Sequence, residues 1–189
     1  MHLPQDGVTA MAKRVGIGEY AIGGPQDAYR ATLGSCIGVA MLWPNARRFA
    51  LAHILLPHRD KVGQSAPPTR GVEGHETRYA DTAVPFLLEK LGAVGRRREV
   101  IAYVAGGGIM YDAAGNGDPV GRLNERVTLA SLAEHRIRVV AQDVGGDEPR
   151  QLVVSGPQRS VCSMHLSTAG TGVEWPFPPH FGTGETSDG

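Results

Sequence analysis

The sequence lacks any apolar stretch long enough to cross a membrane. A spanning helix requires roughly 18–20 consecutive apolar residues, and no run here approaches that length. The segment from Met1 to Gly18 also lacks the apolar core that a secretory signal peptide contains. We therefore expect a cytoplasmic protein that does not insert into a membrane.

Cysteine is scarce, because the chain contains only Cys36 and Cys162. Two cysteines do not make a disulfide framework, and in a reducing compartment a lone thiol is free to react. Cys162 and His165 have a metal-like spacing, but no second pair of ligands accompanies them. The run Gly106-Gly107-Gly108 lacks the Lys and Ser/Thr of a phosphate-binding loop. We expect neither a metal nor a cofactor.

The chain has no excess of charge of either sign, since 19 Lys and Arg balance 19 Asp and Glu. Nucleic-acid-binding domains usually carry a clear basic excess. The composition therefore gives no support for nucleic acid or a membrane surface as the main partner. One dense basic run, Arg96-Arg97-Arg98, follows a predicted helix, where cations are favourable next to the helix dipole. We interpret this run as solvated surface.

The length of 189 residues is enough for one domain with a hydrophobic core. Candidate strands such as Val100–Ala105 alternate with candidate helices, one of them capped by Asn124, and turn signals indicate frequent hairpins. This pattern predicts a single α/β domain, with mixed or antiparallel sheets packed with helices in a layered sandwich. We expect a flexible N-terminus over residues 1–14, the domain over 15–165 and a flexible C-terminal tail over 166–189.

Two apolar strands, Ile37–Trp43 and Arg48–Leu56, flank a turn signal at residues 44–45. If these two residues form the centre of the turn, Cys36 pairs directly with His53. Their Cβ atoms would then be about 4.5–5.5 Å apart. A slip of one residue would place the two side chains on opposite faces, so the prediction depends on that turn.

A cysteine beside a histidine can act as an activated nucleophile. A free thiol has a pKa of about 8.5 and is mostly protonated at neutral pH, whereas a nearby imidazole can accept its proton. The backbone N–H of Cys36 or of a neighbour could donate to an oxyanion. On spacing alone a second interpretation stays open, in which Cys36 is a small buried residue and His53 is a core histidine bonded to a backbone carbonyl.

The segments Thr32–Val39 and Leu51–Pro57 resemble the CheD family, the receptor glutamine deamidases of bacterial chemotaxis. The resemblance runs from residue 15 to residue 165, and any single piece of it is short. The cysteine and histidine segments at this separation, with further segments in the family's order, are together specific. The further segments are Gly16–Tyr20, Arg78–Ala83, Gly106-Gly107-Gly108 with Met110, Gly121 with Asn124, and Asp143 with Gly145-Gly146.

The resemblance implies a protein-glutamine glutaminase, a hydrolase that deamidates glutamine side chains of methyl-accepting chemoreceptors and releases ammonia. It implies that Cys36 is the nucleophile, that His53 takes the thiol proton and that a thioester forms. It also implies a threonine that orients the histidine. Thr32 is the only threonine just upstream of Cys36 and is therefore our candidate.

The resemblance further implies binding to the chemotaxis phosphatase CheC. This partner suggests an alternative function, a non-enzymatic chemotaxis regulator that binds the receptor and the phosphatase. The presence of both Cys36 and His53 favours the enzyme. A redox role for Cys36 is less favoured, because no resolving cysteine lies nearby in the sequence.

Overall fold

The structure is a computed structural model that describes residues 11–59, 75–110, 118–167, 171–179 and 181. This part of the protein consists of two five-stranded sheets and two α-helices. The helices are α1 (Ala80–Leu91) and α2 (Val120–Glu134), and 3₁₀ turns occupy Pro44–Ala46, His75–Arg78 and Val94–Glu99. The strands are β1 (Lys13–Arg14), β2 (Tyr20–Gly23), β3 (Ala28–Leu33), β4 (Ile37–Trp43), β5 (Arg48–Ile54), β6 (Ile101–Gly106), β7 (Arg138–Val144), β8 (Arg150–Ser155), β9 (Ser160–His165) and β10 (Gly172–Pro176).

Both sheets are mixed. The first has the strand order β1-β3-β8-β9-β10 and is antiparallel except for the β1–β3 pair. The second has the order β2-β5-β4-β6-β7 and is antiparallel except for the β6–β7 pair. Helix α2 provides the crossover between the parallel strands β6 and β7, as parallel neighbours require.

The described residues form two hydrophobic cores, one between the sheets and one between the second sheet and the helices. Strand β4 contributes to both, because successive side chains of a strand point to opposite faces. Val39 and Met41 pack on the helix side, whereas Ala40 and Leu42 pack between the sheets. The prediction of one α/β domain built as a layered sandwich is confirmed.

Helix α1 covers the outer face of the second sheet. Its buried residues, among them Val84, Leu87 and Leu91, recur at helical spacing. Gly92 ends the helix in the left-handed conformation (φ 76°), which glycine adopts without strain. Neither α1 nor any other helix of the described residues has the length and apolar character needed to span a membrane.

The hairpin of β4 and β5 differs from the prediction by two residues. Trp43 pairs with Arg48 and Gly38 pairs with His53. The predicted direct pairing of Cys36 with His53 is therefore wrong. Because side chains alternate with a period of two, a shift of two residues keeps the same residues on the same face.

Pro44 explains the shift. A two-residue hairpin turn needs a positive φ at its first central residue, whereas the proline ring holds φ near −65°. Pro44 instead begins a 3₁₀ turn, and Arg47 closes the connection in the left-handed conformation (φ 54°). The connection is therefore longer than the turn signal suggests.

Structure also extends into the segments that the sequence assigns to flexible ends. Strand β1 lies within the predicted N-terminus, and β10 pairs antiparallel with β9 within the predicted tail. Phe177 and Phe181 are buried in the core between the sheets, so their apolar burial stabilises this segment. The remaining parts of those predictions, residues 1–10, 168–170, 180 and 182–189, lie outside the described residues.

Helix α2 begins earlier than predicted. Its first residue is Val120 and Pro119 precedes it, so the prediction that Asn124 caps this helix is wrong. Asn124 lies inside the helix and is fully buried. Its side chain binds two carbonyl groups of other segments, as described below, and therefore has no role in capping.

Candidate active site

Cys36 and His53 lie on the same face of the second sheet, in the core between the sheets. Cys36 packs there with Leu33 and Leu51, in a bend just before β4. His53 stands on β5 directly across from Gly38, two residues beyond Cys36. The pair is thus diagonal across the strands, where Cβ atoms are about 7–8 Å apart and aromatic or long side chains can still meet. Gly38 itself has no side chain, and the space above it is filled by Leu33 and Leu152, which have methyl carbons 2.8 Å from the position of a Cβ there.

The surroundings of His53 fix which ring nitrogen carries the proton. Nδ1 lies 3.3 Å from the carbonyl oxygen of Val15. Since a carbonyl can only accept, Nδ1 must donate, and in the neutral ring Nε2 is then the acceptor. Nε2 is buried and has no hydrogen-bond partner among the described residues. His53 is therefore a candidate base, and its accepting nitrogen is unpaired within the described part of the chain.

The backbone of His53 is held by the turn before β2. The N–H of Gly18 donates to the carbonyl of His53 at 2.8 Å, and the N–H of His53 donates to the carbonyl of Glu19 at 3.0 Å. Gly18 has a φ of 75°, which a residue with a side chain adopts only under strain. The buried Thr77 hydroxyl donates to the Gly18 carbonyl at 2.6 Å. This turn, part of the segment Gly16–Tyr20 that resembles the CheD family, supports the backbone of the histidine.

The glycine-rich turn after β6 holds the bend that carries the cysteine. The carbonyl oxygens of Gly34 and Cys36 accept from the N–H groups of Gly108 and Gly107, at 2.9 and 2.8 Å. A Cβ on Gly107 would come within 3.0 Å of the carbonyl of Gly121 in α2. The turn thus supports the segment that carries Cys36 through its backbone.

Asn124 is a residue of the candidate site whose contacts were not predicted from the sequence. Its Nδ2 donates to the carbonyl of Ser35 at 3.0 Å and to the carbonyl of Leu55 at 2.9 Å. Ser35 precedes Cys36, and Leu55 follows shortly after His53. One buried amide therefore joins the two segments that carry the pair. A signal for it is available in the sequence, because an asparagine at an interior position of a helix needs partners for its amide.

Thr32 lies away from this pair. It is exposed, and its hydroxyl accepts from the side-chain amide of Gln151 at 3.4 Å. Its neighbours Ala31 and Leu33 are in the core between the sheets, so Thr32 points to the outer face of the first sheet. The structure therefore does not bring Thr32 to His53, whose Nδ1 contacts a backbone carbonyl instead.

Burial favours the neutral forms of both members of the pair. It raises the pKa of the Cys36 thiol above its ordinary value. It also lowers the pKa of His53, helped by the charge of Arg14, while the hydrogen bond to Val15 and the charge of Glu19 oppose the shift. The two resting residues are therefore a protonated thiol and a neutral imidazole, and no hydrogen bond joins the thiol to Nε2.

We expect the alkylation of Cys36 by iodoacetamide to be slow at neutral pH. Because its thiol pKa is raised, the rate should increase with pH and reach its midpoint above the value of about 8.5 of a free thiol. The measurement uses the Cys162→Ala protein, so that one thiol titrates, and follows the adduct by mass spectrometry. A midpoint below that of a free thiol would contradict the neutral pair and indicate a stabilised thiolate.

A surface cleft of about 540 Å³ lies elsewhere, lined by residues 95–99 together with Glu134 and Arg136. Glu99 in this cleft accepts from Trp43, the last residue of β4, whereas Cys36 precedes the first. A strand of this length spans about 20 Å, so the cleft is at the far end from the pair. Within the described ranges, no group of three or more His, Cys, Asp or Glu side chains is placed to hold a metal ion.

Comparison with protein families finds the family described as CheD chemotactic sensory transduction over residues 55–162. This range begins after Cys36 and His53, so the roles of these two residues depend on the geometry above. The matched range includes Asn124 and the glycine-rich turn that supports the segment carrying Cys36.

Three similar proteins are each named as a chemoreceptor glutamine deamidase CheD. The chain is 36% identical over 145 residues to the "Probable chemoreceptor glutamine deamidase CheD" of Bdellovibrio bacteriovorus, covering 75% of this chain and 87% of that protein. It is 34% identical over 146 residues to the protein of that name from Methanococcus vannielii, covering 77% and 89%. It is 35% identical over 144 residues to the "Chemoreceptor glutamine deamidase CheD" of Thermotoga maritima, covering 75% and 84%.

Proposed function

Since this chain belongs to the CheD family, we propose that it is a cytoplasmic protein-glutamine glutaminase, which deamidates selected glutamine side chains of methyl-accepting chemoreceptors to glutamate. The observation that carries the proposal is the placement of Cys36 and His53. They lie on one buried face of the second sheet, and Nε2 of the histidine has no hydrogen-bond partner among the described residues, which leaves it available to accept a proton.

In the first step Cys36 attacks the carbon of the substrate amide. A carbon–sulfur bond forms, the amide carbonyl becomes an oxyanion, and the thiol proton moves to Nε2 of His53. Neutral starting forms suit this transfer, because the base must be unprotonated and the sulfur becomes anionic only as it reacts. The Nδ1 hydrogen bond to the Val15 carbonyl keeps the ring in the required tautomer.

In the second step the imidazolium of His53 protonates the amide nitrogen, the carbon–nitrogen bond breaks and ammonia leaves. The glutamine side chain is then held on Cys36 as a thioester. Water attacks this thioester while His53 takes a proton from the attacking water. The carbon–sulfur bond breaks, the proton returns to sulfur and glutamate is released.

Two backbone N–H groups support the oxyanion in this proposal. In the described part of the chain, the N–H groups of Ser35 and Cys36 donate to no backbone or side-chain acceptor. The bend that contains them is partly exposed at Gly34 and Ser35. Donors aimed at a developing charge are often the largest single contribution to hydrolysis of an acyl group.

The test of this function is direct. The protein is incubated with a purified cytoplasmic fragment of a chemoreceptor, ammonia is measured, and the fragment is mapped by mass spectrometry. We expect conversion of a few glutamines to glutamate, with one ammonia released for each. A fragment that keeps all its glutamines, while a known deamidase converts them in a parallel reaction, would contradict the proposal.

We expect Thr32→Ala to leave kcat close to the wild-type value, because Thr32 faces away from His53. The free energy of unfolding should change by about 0.5 kcal/mol or less, as is usual for exposed positions. Thr77→Val is the matched comparison, since the Thr77 hydroxyl supports the turn that holds His53. It should lower kcat. A large loss of kcat in Thr32→Ala at unchanged stability would restore the orienting role that the family resemblance implies.

A CheC-type phosphatase is a separate proposal, supported by the family resemblance. A pull-down with the Cys36→Ala protein tests it, because binding should not require the nucleophile. If the phosphatase and the receptor are both retained and the wild-type chain releases no ammonia, the non-enzymatic regulator is the better description.

A further inference from the structure

We propose that Asn124 is a positioning residue that aims the N–H of Cys36 at the oxygen of the reacting amide. The inference rests on the deamidation proposed above, and it adds the side chain that builds the oxyanion site. Asn124 acts through the backbone and does not itself touch the substrate.

The geometry of one peptide group carries the argument. The carbonyl of Ser35 and the N–H of Cys36 belong to the same peptide group, which is planar and trans, so they point in opposite directions. Asn124 in α2 binds that carbonyl at 3.0 Å. The N–H of Cys36 must therefore point away from α2, and among the described residues it meets no acceptor.

The second hydrogen bond of the same amide fixes the bend against the strand of the base. Nδ2 of Asn124 also donates to the carbonyl of Leu55, so both of its hydrogens are used. A reversed amide would place Oδ1 against two carbonyl oxygens, which only accept, so the orientation is determined by its partners. The direction of the Cys36 N–H and the position of β5 are thus set by one group.

The burial of Asn124 indicates that its amide is not there for packing. Asn124 is fully buried, and its Oδ1 has no hydrogen-bond partner in the described part of the chain. An unpaired buried oxygen is unfavourable, and an apolar side chain of similar size would avoid that cost. An apolar side chain could not donate the hydrogen bonds to Ser35 and Leu55, and these two bonds are what asparagine adds at this position.

The neighbouring peptide group is held in a similar way, but by backbone alone. The N–H of Gly108 binds the carbonyl of Gly34, which directs the N–H of Ser35 by the same rule. Because the contact between Gly108 and Gly34 uses only backbone groups, of these two contacts a substitution can remove only the one made by Asn124.

The test compares Asn124→Leu with Thr128→Val. The first keeps the branching and the number of heavy atoms of the side chain and removes both donor hydrogens. The second removes a hydroxyl that is equally buried, has no partner in the described chain and lies one turn further along α2. We expect kcat for deamidation to fall about 10- to 100-fold in Asn124→Leu, somewhat less than the roughly 10²- to 10³-fold loss from deleting an oxyanion donor, with little change in KM. Thr128→Val should keep its kcat.

Alkylation of Cys36 by iodoacetamide separates this role from a merely structural one. Attack on an alkyl halide forms no oxyanion, so its rate should be unchanged in Asn124→Leu. A parallel loss of alkylation and deamidation would overturn the inference, and so would an unchanged kcat. If the wild-type protein releases no ammonia, both the deamidase proposal and the inference are rejected. An active wild type with an equally active variant rejects the inference alone.

A measurement on the wild-type protein keeps the inference testable if Asn124→Leu does not fold. A peptide with an aldehyde in place of the glutamine carboxamide should add to Cys36, with sulfur bonded to the aldehyde carbon and the thiol proton transferred to the oxygen. In the crystal structure of this adduct we expect the oxygen at about 2.7–3.1 Å from the nitrogen of Cys36, with Asn124 still bound to Ser35. An oxygen that points away from this N–H would overturn the inference.

Discussion

Replacement of Cys36 by alanine is expected to lower the rate of ammonia release from receptor glutamines by at least about 10³-fold, because no other group can form the thioester. The fold should survive, since alanine fits the space of a small buried thiol. Ammonia release and glutamine-to-glutamate conversion, with a thermal melt of each protein, measure the two effects.

Cys162→Ala is the matched control for this loss. Cys162 lies on β9 of the first sheet, and burial is the main cause that raises its pKa to about 11. A thiol with this pKa is almost entirely protonated at neutral pH and is a weak nucleophile. We expect Cys162→Ala to keep the wild-type rate. If Cys36→Ala keeps its activity, or if both variants lose it equally, the assignment of the nucleophile is wrong.

Replacement of His53 by asparagine is expected to lower kcat/KM by about 10²- to 10⁴-fold, the usual contribution of a general base. The variant retains a polar side chain that can bond to the Val15 carbonyl, but it cannot carry the thiol proton to the leaving nitrogen. His135→Asn is the control, because His135 also places its Nδ1 near a backbone carbonyl, that of Ser131 at 2.8 Å. It should remain fully active.

The pH profile gives an independent signature of His53. Deamidation needs the neutral imidazole, so kcat/KM should fall as the pH drops through the pKa of this residue. Burial lowers that pKa, so the fall should occur below the ordinary value of about 6.5. In His53→Asn the change of slope at this pKa should disappear, leaving a much lower rate that follows the thiolate fraction of Cys36 and rises steadily with pH. An acid limb that persists unchanged in the variant would indicate another base.

Local patterns predict the fold class well, because strands β4 and β5 and helix α1 are read from the spacing of their own apolar residues. Strand β3 is harder to find, since Arg30 and Thr32 interrupt its apolar pattern and it is stabilised by pairing with β8, far along the chain. The burial of Phe177 and Phe181 depends equally on a distant contact. Such pairings leave little trace in a local window.

The candidate site is also predicted only in part from local sequence patterns. Spacing places Cys36 and His53 on one face, and the two-residue error caused by Pro44 preserves that face. The contacts that complete the site are less visible. The Val15 carbonyl is a backbone group that any residue would supply, so no residue type marks it. Asn124 is visible in the sequence, but its partners Ser35 and Leu55 are known only from the fold.

The most direct test of the central claim is to trap the acyl-enzyme. The wild-type protein is mixed with a glutamine-containing receptor peptide, quenched with acid during the first turnover and digested with trypsin. We predict a mass on the fragment that contains Cys36 equal to the peptide minus ammonia, absent in Cys36→Ala and formed far more slowly in His53→Asn. Rapid deamidation without any such adduct, or an adduct on Cys162, would contradict the account.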